Sequence, residues 1–227
     1  MASNTSRGSY QSNSSATPLP LREAIRQLPN QYFRVLTRPS ATTFEEEKEK
    51  AAWDIVGVQL LIQIIGYVVI STLLRLIVNL FTPINNAIIV VSIGIPEEFV
   101  IGTFLNLVSS ILIAALFFFV SAGAFYLLAK LFGGQGKFLE QCYAMLLFQV
   151  PITILISLLW LIPHVSSYVL PALGVYSTIL LFLAIMGVHN LSTGRAVAVL
   201  LISIALLPLI VSLLLSAISI RFIALPF

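Results

Sequence analysis

The sequence predicts an all-α fold, a polytopic transmembrane helical bundle of five spans preceded by a short amphipathic element on the cytoplasmic side. Three observations predict it. Of 227 residues, 59% are apolar and 9% charged, with a mean hydropathy of +1.02, whereas soluble domains run roughly 45–50% apolar and about 25% charged. The apolar residues fall in continuous runs, unlike the alternating strands of a membrane barrel. Five of these runs are long enough to cross ~30 Å of hydrocarbon at a rise of ~1.5 Å per residue. Most soluble enzyme classes are thereby excluded, as is intrinsic disorder for the bulk of the chain.

The elements follow in order. Residues 1–20 are rich in Ser, Asn, Thr and Gln and hold too little apolar surface to offset the entropy of ordering, so they read as a flexible polar tail. Residues 21–54 form a juxtamembrane region. Within it Ile25, Leu28, Tyr32 and Leu36 recur at helical spacing beside Arg22, Arg26 and Arg34, the pattern of an amphipathic surface helix. Pro29 is expected to divide it in two, because an interior proline removes a hydrogen bond and crowds the preceding turn. After Pro39, Thr43 and Glu46 have capping-box spacing. A helix is therefore expected to start near Phe44 and run through the acidic stretch into the first span.

The five-span domain covers 55–227, with apolar runs at 55–78, 99–129, 143–162, 170–188 and 197–220. Turn residues separate them: Pro83 with Asn85 and Asn86, Pro96, the Gly133, Gly134 and Gly136 cluster, Pro163 with Pro171, and Asn190 with Gly194. The first 50 residues hold no short apolar core of the signal-peptide kind, so the first span is expected to serve as an uncleaved anchor.

Charge distribution gives the orientation. Seven of the twelve Lys and Arg residues precede the first span. With the N-terminus inside, Arg7, Arg22, Arg26, Arg34, Arg38, Lys48, Lys50, Lys130, Lys137 and Arg195 face the cytoplasm, against Arg75 and Arg221 near the other face, as the positive-inside rule requires. An odd number of spans then places the C-terminus on the opposite side.

Few residues suggest chemistry. Arg75 is charged and lies in a span, but it stands close to Asn79 and Pro83, where a long side chain can snorkel to the phosphate layer. Gln59 and Gln63 share one helix face and suit interhelical hydrogen bonding. Ser109, Ser110 and Ala114, and Gly174 with Thr178, supply small residues at four-residue spacing for close helix approach. His164 and His189 belong to opposite membrane faces and so form no joint metal or proton-relay site. Cys142, the single cysteine, forms no internal disulfide or zinc site and reads as a packing residue. The stretch 131–138 has glycines and a lysine but not Walker spacing; it reads as a sharp turn that holds Lys130 and Lys137 near lipid phosphates. No cofactor is implied, and no basic stripe with interleaved aromatics suggests nucleic acid.

Three stretches carry a family resemblance: Tyr32-Phe33-Arg34-Val35-Leu36-Thr37-Arg38-Pro39 followed by Phe44-Glu45-Glu46, the Phe132-Gly133-Gly134 turn with Phe138, and Gly187-Val188-His189-Asn190-Leu191-Ser192-Thr193-Gly194-Arg195-Ala196-Val197-Ala198-Val199. In order and spacing the chain resembles the Yip1 domain family. The resemblance implies a non-enzymatic five-span membrane protein with a cytoplasmic N-terminal region. Eukaryotic relatives act in traffic between ER and Golgi, and several bind prenylated Rab-type GTPases. The Asp-Leu-Tyr-Gly-Pro and Gly-Tyr motifs of those members are missing here, so Rab binding is not carried over; the short loops are closer to the prokaryotic branch. The host would be the cell membrane for a prokaryotic protein and ER or Golgi for a eukaryotic one.

The sequence thus supports a membrane-organising, trafficking-like or scaffold protein that engages membrane lipids, a protein partner or a second copy of itself. Arg22, Arg26, Arg34, Arg38, Lys130, Lys137 and Arg195 are its candidate contacts to lipid or partner. The competing expectation is a small-solute transporter or channel with Gln59, Gln63, Arg75 and Asn106 along a polar path.

Overall fold

The computed structural model describes residues 20–81, 97–159 and 162–223. The expected tail and the turn at Pro83 to Pro96 lie outside these residues. The described residues form seven helices and no strand: α1 (Leu21–Thr37), α2 (Ala41–Lys48), α3 (Trp53–Phe81), α4 (Glu97–Leu131), α5 (Phe138–Leu159), α6 (Pro163–His189) and α7 (Thr193–Ile223). Helices α3 to α7 each contain a segment long and apolar enough to cross a membrane. The chain is therefore a multi-pass integral membrane protein with five spans.

Helix ends depart from the apolar runs where polar residues still satisfy helix geometry. Pro29 does not divide α1, which continues through it. Proline and Ile25, whose carbonyl loses its usual donor, both lie on the exposed flank, while Leu28, Gln31 and Val35 are buried on either side of the proline and hold both halves to the bundle. The cap of α2 is Ser40, not Thr43. With an extended backbone after Pro39, the Ser40 Oγ accepts the Thr43 N–H at 3.0 Å, so the helix starts at Ala41. Nor does α2 run into the first span: it stops at Lys48, and bonds from Lys50 N–H to Glu47 O and Ala51 N–H to Lys48 O turn the chain before Trp53. Pro163 does not lie in a connection but begins α6, where its fixed φ suits the first helical position, and Pro171 sits inside that helix.

The bundle is centred on α5. All residues in 141–148 are buried, which marks a helix surrounded on every side. Its neighbours are α1, α2, α3, α4 and α6, while α7 packs outside them on α4 and α6. The arm formed by α1 and α2 fills the groove over α5 between α3 and α6, so it is part of the bundle at the end where α3, α5 and α7 begin and α4 and α6 finish.

Candidate functional site

The arm end of the bundle is organised around the last turn of α6. A helix end leaves four carbonyls without internal donors, and here those of Gly187, Val188 and His189 are met from outside the helix. Asn190 adopts a left-handed conformation (φ 52°) and its N–H, with that of Leu191 at 3.3 Å, returns to Met186 O. Lys48 Nζ donates to Gly187 O at 3.1 Å and to Val188 O at 3.2 Å, a cation at the negative end of the helix dipole. The Gln135 N–H donates to His189 O at 3.0 Å.

Glycines make this convergence sterically feasible. Gly133 ends α4 with φ 86°, and the Gly134 N–H bonds back to Ala129 O at 2.8 Å, the left-handed helix stop that glycine favours. A side chain on Gly136 would place Cβ 2.6 Å from Val188 O, and one on Gly187 would place it 2.2 Å from Ala41 O. Loop and arm thus press on α6 at backbone distance. The three stretches that are far apart in sequence meet at this one point.

Polar contacts fasten the arm. The Tyr143 hydroxyl donates to Gln31 Oε1 at 3.1 Å, the Tyr176 hydroxyl donates to Leu36 O, and Phe44 meets Phe148 edge-to-face with centroids 6.3 Å apart. Glu47 is 1% exposed and receives Arg34 Nη1 at 3.1 Å and Lys50 Nζ at 2.8 Å; Arg34 also pairs with Glu46. A buried carboxylate between two cations is the arrangement that makes its burial tolerable. Bonding to Glu46, reinforced by the charges of Glu46 and Glu47, raises the Arg34 pKa. Burial raises that of Tyr32, whose hydroxyl lies beside the Gln59 amide without completing a hydrogen bond.

His189 is fully buried. Its Nε2 lies 3.0 Å from Gln141 Oε1, and its ring faces Tyr126 at 6.0 Å. It stands at the opposite end of α6 from His164, and no metal-binding cluster occurs among the described residues. Its role in this geometry is to fill the junction.

The lipid- or partner-contact candidates lie at this end of the molecule, and the remaining polar and small-residue candidates lie along the spans. Arg22, Arg26 and Arg38 are exposed on or just after α1. Lys130 lies over the Tyr126 ring at 5.7 Å. The Lys137 side chain is 82% exposed, 3.8 Å from Glu140. Arg195 Nη1 reaches Phe132 O at 3.5 Å. Gln59 is fully buried, and Gln63 donates to Thr153 Oγ1 at 3.4 Å, between α3 and α5. Gly174 and Thr178 sit on an exposed face of α6, with nothing near the glycine, so they mediate no close helix approach within the chain. Arg75 and Asn106 occupy positions in α3 and α4; their side chains, like those of Ser109 and Ser110, lie outside the described ones. Sequence reasoning missed Lys48 and Glu47, which sit in a charged run indistinguishable from a solvated face, and Gln31, Gln141 and Tyr143. The glycine that opens the third stretch, Gly187, was the available signal that something packs closely there.

A family model described as Yip1 domain matches residues 33–216, a range that includes the second and third stretches and all of the first but Tyr32. No curated protein and no solved structure matches the chain.

Proposed function

The chain belongs to the Yip1 domain family, and from that premise we propose that it is a non-enzymatic membrane-organising protein whose arm faces the cytoplasm and engages the anionic leaflet. The observation that carries the reading is the exposed flank of α1. Helical spacing aligns Arg22, Arg26, Pro29 and Phe33 along one side; all four are exposed, Phe33 at 70%, and Leu21 and Ile25 beside them are half-exposed at 38%. Basic groups interleaved with aromatic and aliphatic ones suit the boundary between headgroups and acyl chains.

Arg34 is committed to Glu46 and Glu47, which narrows the free cations of α1 to Arg22 and Arg26. Each basic group near an anionic surface contributes about 1 kcal/mol. The test is hydrogen exchange of the full chain in nanodiscs of neutral or 30% anionic lipid, with ~30% chosen to approach a charged leaflet. Slower exchange across 21–30 in the anionic discs, lost in Arg22→Gln/Arg26→Gln, supports lipid engagement. Equal exchange in both overturns it and assigns the flank to a protein partner. Placement of the N-terminus inside rests on the positive-inside count.

A further inference from the structure

We propose that the cleft between α3, α4 and α5 binds the hydroxyl end of a membrane-dissolved alcohol, with Gln63 Oε1 as its acceptor. The cleft is lined by Leu60, Gln63 and Tyr67 of α3, Ala114 and Phe118 of α4, and Thr153 of α5, and encloses about 80 Å³. Gln63 Nε2 is used on Thr153, whereas Oε1 is buried and meets no donor among the described residues. Gln63 stands ten residues beyond Trp53, ~15 Å along α3 and close to the middle of a ~30 Å core. At that depth neither bulk water nor an acyl chain can supply the missing donor.

The shape selects the ligand. One water needs about 10–15 Å³ by this measure, so the cleft is larger than a single water site, while it is far below the ~300 Å³ of a pocket that encloses a whole ligand. It fits the head of a molecule whose remainder lies among lipid tails. Tyr67 is 51% exposed at the rim, so the cleft opens sideways into the bilayer. The lining holds no carboxylate and no cation, which disfavours charged headgroups, and the free atom is an acceptor, which calls for a neutral donor such as an alcohol O–H. One turn toward the arm on the same face of α3, Gln59 is fully buried with both amide atoms unpartnered among the described residues, but it lies outside the cleft lining.

The experiment uses the full chain in phosphatidylcholine nanodiscs, photolabelled with hexadecanol carrying a diazirine near its hydroxyl, beside the matched methyl ether. The expected result is labelling of peptides containing 60–67 and 114–118 that unlabelled hexadecanol competes away. The ether and the Gln63→Leu variant should each label about fivefold less, the effect of one hydrogen bond. Ala114→Leu fills the cleft while leaving the Gln63–Thr153 pair intact, and it should lose labelling as well; this variant keeps the test decisive if Gln63→Leu fails to fold. Equal labelling by alcohol and ether, labelling unchanged in the variants, or no labelling above background because water alone occupies the cleft would each overturn the assignment.

Discussion

Helices α5 and α7 are equally apolar, yet 56% of the α5 span is buried inside the protein against 17% of the described α7 span. Apolarity puts a helix in the membrane without choosing its neighbours, because lipid tails are as apolar as leucine. What separates the two is polar side chains that bond across to other helices. Gln141, Tyr143 and Thr153 of α5 bond to His189, Gln31 and Gln63 on three different helices, and Cys142 and Ala144 are buried among them, where small side chains leave room for neighbours. Helix α7 buries Ser203 without a described partner and leaves Leu201, Ile204 and Leu209 exposed. The central helix is fixed from several directions, and the peripheral one by packing on one side.

The same substitution in both helices should have very different costs. Leu147 of α5 is fully buried and Leu209 of α7 is 59% exposed. Leu147→Ala should cost about 2–5 kcal/mol through the cavity it leaves, and Leu209→Ala less than about 0.5 kcal/mol. Thermal unfolding in one detergent checks both; equal losses would mean that burial in this bundle does not measure its energetics.

Next in size is Gly187→Ala, which asks how much of the central packing depends on the arm. The new Cβ would stand 2.2 Å from Ala41 O and 3.0 Å from Phe44 Cβ, and backbone cannot yield as a side-chain tip can. A loss of about 1–3 kcal/mol is expected, with faster hydrogen exchange across 41–48 and in 141–148. The control is Gly174→Ala on the same helix, which has nothing within 4 Å and should leave exchange unchanged.

Glu47→Gln keeps the shape of the arm but removes the charge that Arg34 and Lys50 converge on. About 1–2 kcal/mol should be lost, since the two ion pairs give way to at most one bond from a cation to the amide oxygen while both cations regain solvent. Glu45→Gln, on an exposed position in the same run, should change stability by less than about 0.5 kcal/mol. A double substitution with Arg34→Gln, measured as a cycle by thermal unfolding, isolates the pair.

These contrasts also mark what was legible in the sequence. Five spans and the arm follow from apolar runs and turn residues, because crossing hydrocarbon imposes length and composition directly. Helix boundaries were less legible: Ser40 and Thr43 are both good caps, and only the fold decides which oxygen meets a free N–H. Glu47 could not be told from Glu45 or Glu49, since burial of a charge depends on where α2 lands. Arg34 reads as a lipid contact by sequence, yet its guanidinium is spent on Glu46 and Glu47. The meeting of the three family-like stretches at the end of α6 was invisible for the same reason, as nothing local in Gly187 names Ala41 as its neighbour.

The smallest effect separates two basic residues that the sequence treats alike. Lys48 makes two bonds, at 3.1 and 3.2 Å, to carbonyls at the C-terminus of α6, whereas Arg195 makes one at 3.5 Å to Phe132 O and is exposed. A helix end loses its cap and the favourable charge at its dipole when such a cation is removed. Lys48→Met keeps the aliphatic stem and should cost about 1 kcal/mol, with faster exchange in the last turn of α6. Arg195→Met should stay within about 0.5 kcal/mol, because solvent replaces a long, exposed bond at little cost. Were the two variants to behave identically, the junction would owe its order to the close packing at Gly136 and Gly187 alone, and Lys48 would be free to serve, like Arg22 and Arg26, as a contact to the leaflet.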